Sequence, residues 1–186
     1  MKLSYFSRTV GKKGEINRLR REGCIPGILY GKDHAPQAIF IKKEEFDAIF
    51  RNMRPGLLAT TMLELHDGEK NHKVLVKELQ YHRVNYAIEH VDFIRVSDEI
   101  PVTVNVPIQI LGAADCVGVK LGGFMRQVIR SLKVSCMPKD IPQEFTLDVR
   151  ELQIAQSKRL FDIVLPENVR SIAKMNEIAV VITKQA

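Results

Sequence analysis

Apolar and polar positions alternate along most of this chain, and only two short stretches break into helical spacing. The alternation is cleanest where Val102, Val104, Val106, Ile108 and Ile110 occupy every second position, which predicts a strand with one buried face. Pro107 falls inside that run and cannot donate to a ladder, so an edge or bulged strand is expected there. Shorter strands are predicted at 1–8, 25–30, 38–42, 60–66, 73–81 and 86–96. Others follow at 124–129, 131–137, 144–149, 159–164 and 178–183, separated by turn residues. Asp67-Gly68 and the residues after it mark a hairpin. In the 86–96 strand, Ala87, Glu89, Val91 and Phe93 share one face; Ile88, His90, Asp92 and Ile94 share the other.

The first helical stretch runs from Glu15 to Glu22. Ile16 and Leu19 fall on one face, Glu15 sits in the first turn, and Gly23 is placed to end the helix in the left-handed region. Arg18 and Arg21 point away from the apolar face, with Arg20 on its flank. So short a helix is unstable alone and must dock. The second stretch, Glu44 to Arg51, turns Phe46, Ile49 and Phe50 inward and is broken by Arg54-Pro55-Gly56. Gly11 with Gly14, and later Gly112, Gly118, Gly122 and Gly123, read as loops. The pattern restarts near residues 94–98. The chain is therefore mainly β with two domains, 1–95 and 96–186, and only the first has much helix.

Charge sharpens this picture. The net charge is +6, and residues 1–32 carry eight basic side chains against two acidic ones, so that segment holds the whole surplus. A surplus confined to one end points to an anionic partner met there; the alternative is a solubilising surface. The three cysteines, Cys24, Cys116 and Cys136, form no CxxC pair, which fits a reduced cytosolic chain better than a disulfide or zinc scaffold. The opening MKLSYFSRTVGKKG lacks a signal-peptide core, and no run of 18 apolar residues exists, so neither secretion nor a membrane span is expected.

Two constellations could carry chemistry. The first is Gly11 to Lys32, GKKGEINRLRREGCIPGILYGK, where arginines can fork onto phosphates and Tyr30 can stack on a base or ribose. Its plain alternative is a solvated helix with an Arg18–Glu22 pair and Tyr30 capping the core. The second is His90-Val91-Asp92, whose two polar side chains point the same way on a strand. A carboxylate repels phosphate but accepts from the amino or imino groups of base edges. The same pair could do acid–base work or be a structural hydrogen-bonded pair. Against catalysis, the sequence has no nucleophile elbow, Gly-rich phosphate loop or metal-ligand set.

The stretches RLRREGCIPGILYG, LVKELQYHRVNYAIEHVDFIRV, VPIQILGAADCVGVKLGGFMRQVIRSLKVSCMPKDIP and FTLDVREL resemble, in order and spacing, the bacterial large-subunit ribosomal protein L-twenty-five family. The likeness is to its long, two-domain form, also called the CTC or general stress protein family. The resemblance implies an N-terminal small β-barrel with a few short helices, similar to barrels in the anticodon-binding part of glutaminyl-tRNA synthetase. It implies an all-β C-terminal domain. It also implies a non-enzymatic role in the cytoplasm: binding the loop E region of 5S rRNA in the central protuberance, next to other large-subunit rRNA and ribosomal proteins. A stress-related role off the ribosome is the alternative. No cofactor, metal, membrane or small-molecule substrate is implied. By motif, Arg20, Tyr30, His90 and Asp92 become the expected RNA contacts, with Arg8, Lys13, Arg18 and Arg21 as expected contacts from the basic segment. The chain departs from the family pattern at Cys24, where lysine is frequent, and at Arg83 and Asn85. It departs again at Ala155 to Lys158, where AQSK replaces a GDS-type turn.

Overall fold

The computed structural model describes residues 1–8, 13–32, 34–54, 56–68 and 71–184. The chain forms two compact units, Met1–Ile100 and Pro101–Ala186. The first holds β1 (Lys2–Ser7), α1 (Lys13–Arg21), β2 (Cys24–Gly31), β3 (His34–Lys42), α2 (Lys43–Arg51), β4 (Leu63–His66), β5 (Asn71–Tyr81) and β6 (Ile88–Arg95). Its strands close into a barrel in the order β1-β3-β2-β6-β5-β4, with β1 and β4 meeting as a parallel pair. Alternation fills it: Leu3 and Tyr5, Ile39 and Ile41, Leu63 and Leu65, Val91 and Phe93 all point inward and are buried.

The second parallel pair, β2 with β6, positions the site. Gly27 stands opposite Val91 there, and a Cβ at Gly27 would lie 2.5 Å from the Val91 carbonyl oxygen. Only glycine allows the two backbones to approach this closely.

Four details of the barrel differ from the sequence pattern. Helix α1 begins at Lys13, so Gly14 lies inside it rather than in a loop; Gly11 falls outside the described residues. Gly23, at φ +77°, ends it as expected. Phe50 does not point inward but is 38% exposed. Phe46 and Ile49 cover the barrel, while Phe50, at the far end of α2, faces an open cleft with Tyr81 and Tyr86. The strand expected from Thr60 starts only at Leu63. The Thr60 and Thr61 hydroxyls both donate to the Leu57 carbonyl oxygen, at 3.0 and 2.8 Å, and hold a 3-10 turn at Leu57–Ala59 instead. Strand β6 starts at Ile88 rather than Tyr86, because Tyr86 adopts φ +54° in a tight turn. There the His82 N–H donates to the Ala87 carbonyl, and the Val84 and Asn85 N–H groups donate to His82 Nδ1. The substituted residues Arg83 and Asn85 sit in this turn.

The second unit holds β7 (Val102–Leu111), α3 (Val117–Lys120), β8 (Gly123–Gln127), β9 (Ser131–Cys136), β10 (Phe145–Asp148), β11 (Ser157–Arg159), β12 (Arg170–Ser171) and β13 (Ile178–Lys184). These form two sheets, β10-β7-β9-β12 and β11-β13-β8. Pro107 does not make β7 an edge strand. Strand β9 pairs with Val102 to Pro107 on one side, and β10 pairs with Ile108 to Leu111 on the other, so the proline sits at the change of partner. Gly118 lies in the helical turn α3 rather than a loop, where a Cβ would come within 2.9 Å of both the Ile182 side chain and the Leu152 carbonyl oxygen. The strand expected at 159–164 is replaced beyond Arg159 by a 3-10 turn at Leu160–Asp162, with the Asp162 carboxylate accepting from the Arg159 N–H at 2.8 Å.

Candidate nucleic-acid interface

Three expected contacts share one strip of the barrel's outer wall. Since Val91 and Phe93 point inward, His90 and Asp92 point outward. Register then brings in their neighbours. Ile28 on β2 stands beside Asp92, and Tyr30, two residues on, stands beside Ile94. From the other side, β5 aligns Glu78 with Asp92 and Gln80 with His90. The strip is thus Tyr30, Asp92 and His90 edged by Glu78 and Gln80.

His90 and Asp92 are close, with Nδ1 2.8 Å from Oδ1. The approach is not aligned as a hydrogen bond, so Nδ1 keeps an unmet polar valence. Both side chains are only partly buried, at 17% and 25% exposure. They lie on the outer wall of the barrel. Burial pushes the Tyr30 hydroxyl above its ordinary pKa, and the Asp92 and Glu78 carboxylates push it the same way. Tyr30 therefore keeps its proton at neutral pH and can donate while its ring stacks. Two neighbouring carboxylates disfavour a phosphate over this strip and favour base amino or imino groups.

The basic segment borders the strip. Arg20 donates from Nε and Nη2 to the Glu89 carbonyl oxygen, at 3.3 and 3.2 Å, at the start of β6. Arg18 reaches Glu22 across one helical turn, at 3.4 Å, in an exposed pair of the kind that is worth little and opens easily. Arg21 is exposed. Arg8 donates from Nε to the Ile39 carbonyl oxygen at 3.2 Å, and lines a cleft of about 400 Å³ with Glu15, Ile16, Arg18, Leu19 and Phe40 beneath α1. Lys13 begins α1, but its side chain lies outside the described residues. The structure thus brings Tyr30, His90 and Asp92 together, sets Arg20 next to them, and leaves Arg18 and Arg21 facing solvent.

Glu78 and Gln80 were not singled out from sequence. Their signal was the alternation in LVKELQY, which places both on one face, but their alignment with Asp92 and His90 depends on a register the pattern does not show. Cys24 is half-buried and its thiol is pushed up, first by burial and then by Glu22, so it is not a ready thiolate. No cluster of three or more potential metal ligands occurs among the described residues.

A strip of polar side chains on the barrel's outer wall, bordered by a cationic helix, is a layout suited to contact with a nucleic acid. Comparison with known proteins gives the family. Residues 3–93 match the Ribosomal L25p family, and residues 101–186 match the C-terminal domain of ribosomal protein TL5. The large ribosomal subunit protein bL25 of Chlamydia trachomatis is 38% identical over 185 residues, covering both chains in full. Its counterparts in Chlamydia pneumoniae and Chlamydia abortus are 36% and 37% identical over the same span. The chain belongs to the bL25 family of ribosomal proteins.

Proposed function

We propose that this chain is a structural, non-enzymatic component of the bacterial large ribosomal subunit whose barrel binds the loop E region of 5S rRNA. Arginines on and around α1 neutralise phosphates, while Tyr30, His90 and Asp92 read an irregular minor groove. The observation that carries this reading is the strip itself. Acidic side chains sit beside a basic helix, an arrangement that gains nothing from phosphate alone but discriminates exposed base edges. An internal loop with non-Watson–Crick pairs offers such edges; a regular A-form duplex offers mainly backbone. Around the RNA, the chain takes its place among large-subunit rRNA and ribosomal proteins in the central protuberance, in the cytoplasm.

The test is a gel-shift series with the full chain on 5S rRNA, on a loop E fragment and on a regular duplex of equal length. The expected result is tight binding to the first two and much weaker binding to the duplex. Equal affinity for all three would refute sequence-selective recognition.

A further inference from the structure

One irregularity in the barrel wall lies where it affects the site. Between β5 and β6 the register aligns Gln80 with His90 but Tyr81 with Ile88, so Glu89 is an extra residue on β6. This bulge changes faces. Strict alternation would put Ile88 outside, beside His90, as the sequence pattern implied. With Glu89 looped out, Ile88 packs against the barrel core while His90 and Asp92 remain outside. The carbonyl of that same residue receives the two N–H groups of Arg20.

We infer that Arg20 is a positioning residue: it fastens α1 to the Glu89 bulge and so sets where the phosphate-facing arginines stand relative to Tyr30, His90 and Asp92. The inference rests on the RNA-binding role proposed above. Helix α1 has nine residues, too few to persist without docking. Its apolar side chains Ile16 and Leu19 are only half-buried, over the open cleft beside Phe40. Hydrophobic docking of α1 is therefore shallow, and the two N–H bonds from the exposed Arg20 add a tie to β6 beside the Lys43 N–H bond to the Gly23 carbonyl at the helix end. The Arg18–Glu22 pair lies within one chain segment and cannot do this. A guanidinium spreads two donors onto one carbonyl in a fixed plane; lysine brings a point charge and loses that geometry. An Arg20 committed to Glu89 also has fewer donors left for a phosphate. Its contribution is thus to hold two half-sites in register.

The test uses the full chain with Arg20→Lys, Arg20→Gln and Arg18→Gln. Each is titrated with loop E RNA and with a regular duplex over a salt series, and amide exchange is followed in the free protein. Both Arg20 variants should lose roughly three- to tenfold in preference for loop E over duplex, the worth of one hydrogen-bonded contact. Their salt slopes should match the wild type. Arg18→Gln should weaken both RNAs alike and lower the slope by about 0.7–0.9. In the free protein, both Arg20 variants should speed exchange of the α1 amides and shift the Glu89 and His90 signals; Arg18→Gln should do neither.

Two results overturn the inference. One is Arg20→Lys binding as wild type while Arg20→Gln loses about 0.7–0.9 of slope, which makes Arg20 a phosphate contact. The other is unchanged α1 exchange and unchanged Glu89 and His90 signals. If the wild type itself shows no preference for loop E, the RNA partner is wrong, and the exchange data still decide whether Arg20 holds the helix.

Discussion

The two units of this chain carry the same net charge and distribute it differently. Residues 1–100 hold seventeen basic and fourteen acidic side chains, and residues 101–186 hold eleven and eight, so each unit is +3. In the first, the segment before residue 33 is +6 and the remainder is −3. The barrel therefore separates a cationic arm from an acidic body, and the proposed site lies on their border. In the second unit, Lys120, Arg126, Arg130, Lys133 and Lys139 form an uninterrupted basic run, so residues 116–139 are +5 and the remainder is −2, but that run is spread over α3, β8, β9 and adjoining turns rather than along one helix. Both units expose apolar side chains, Val84 at 81% in the first and Val164 at 88% in the second. Net charge per domain is thus a poor guide to partner. On the function proposed above, the boundary between opposite charges supplies both attraction and selectivity.

Five substitutions, or pairs of them, test this difference between the units. Gly27→Ala forces a methyl against the Val91 carbonyl oxygen and should destabilise the barrel by about 3 kcal/mol in urea unfolding, the upper range for overpacking. It should lower RNA affinity as well, because it pushes Tyr30's strand away from Asp92's. Asp92→Ala should cost about 1–3 kcal/mol of binding to loop E RNA and leave binding to a duplex little changed. An equal loss on both RNAs would mean that Asp92 acts through folding.

A smaller effect concerns salt. Arg21→Gln on the barrel should lower the slope of log affinity against log salt by about 0.7–0.9, whereas Arg170→Gln in the second unit should leave it unchanged. A lower slope for both variants would place phosphate contacts on both units. Next comes Ala155→Gly in the second unit. Ala155 has φ +66° at the turn where AQSK departs from the family pattern, a conformation that suits glycine. The substitution should raise unfolding free energy by about 1 kcal/mol and leave RNA binding alone.

The smallest effect is alkaline. Burial raises the hydroxyls of Tyr5, Tyr30 and Tyr81 above the ordinary 10.0, and all the tyrosines lie in the first unit. In the unfolded chain these hydroxyls lose their protons first, so the folded barrel binds more protons above pH 10. Its stability is intact below that pH and falls as pH rises toward the folded values. Tyr30→Phe should flatten part of that fall in a pH series of urea melts; an unchanged profile would show that Tyr30 is not desolvated.

Much of this architecture was legible in sequence because strands advertise themselves by period two and turns by glycine. The inward Val91 and Phe93 of β6, the alternate buried positions from Val102 to Ile108 in β7, the Gly23 stop and the shared outward face of His90 and Asp92 all follow from local rules. What escaped was set by neighbours at a distance. The Glu89 bulge depends on how β5 lies against β6. The outward Phe50 reflects where the barrel wall ends beneath α2. The strand expected from Thr60 lost to hydroxyls that bond back to Leu57. Glu78 and Gln80 were readable as one face of a strand, but nothing local aligned them with Asp92 and His90. Which arginines are expected to contact RNA follows from family likeness rather than from local pattern. Arg18, Arg20 and Arg21 are all exposed, but Arg20 alone of them is bonded across to β6, through the Glu89 carbonyl.

The parallel seam between β2 and β6 also has a consequence in time. It joins residues 24–31 to residues 88–95, so the two halves of the recognition strip are made far apart during synthesis. At about 5–20 residues per second, the cationic arm precedes its discriminating partner by several seconds. On the function proposed above, a nascent chain in that interval carries the phosphate-facing arginines without the side chains that discriminate base edges. The strip is complete only when β6, the last strand of the barrel, pairs with β2.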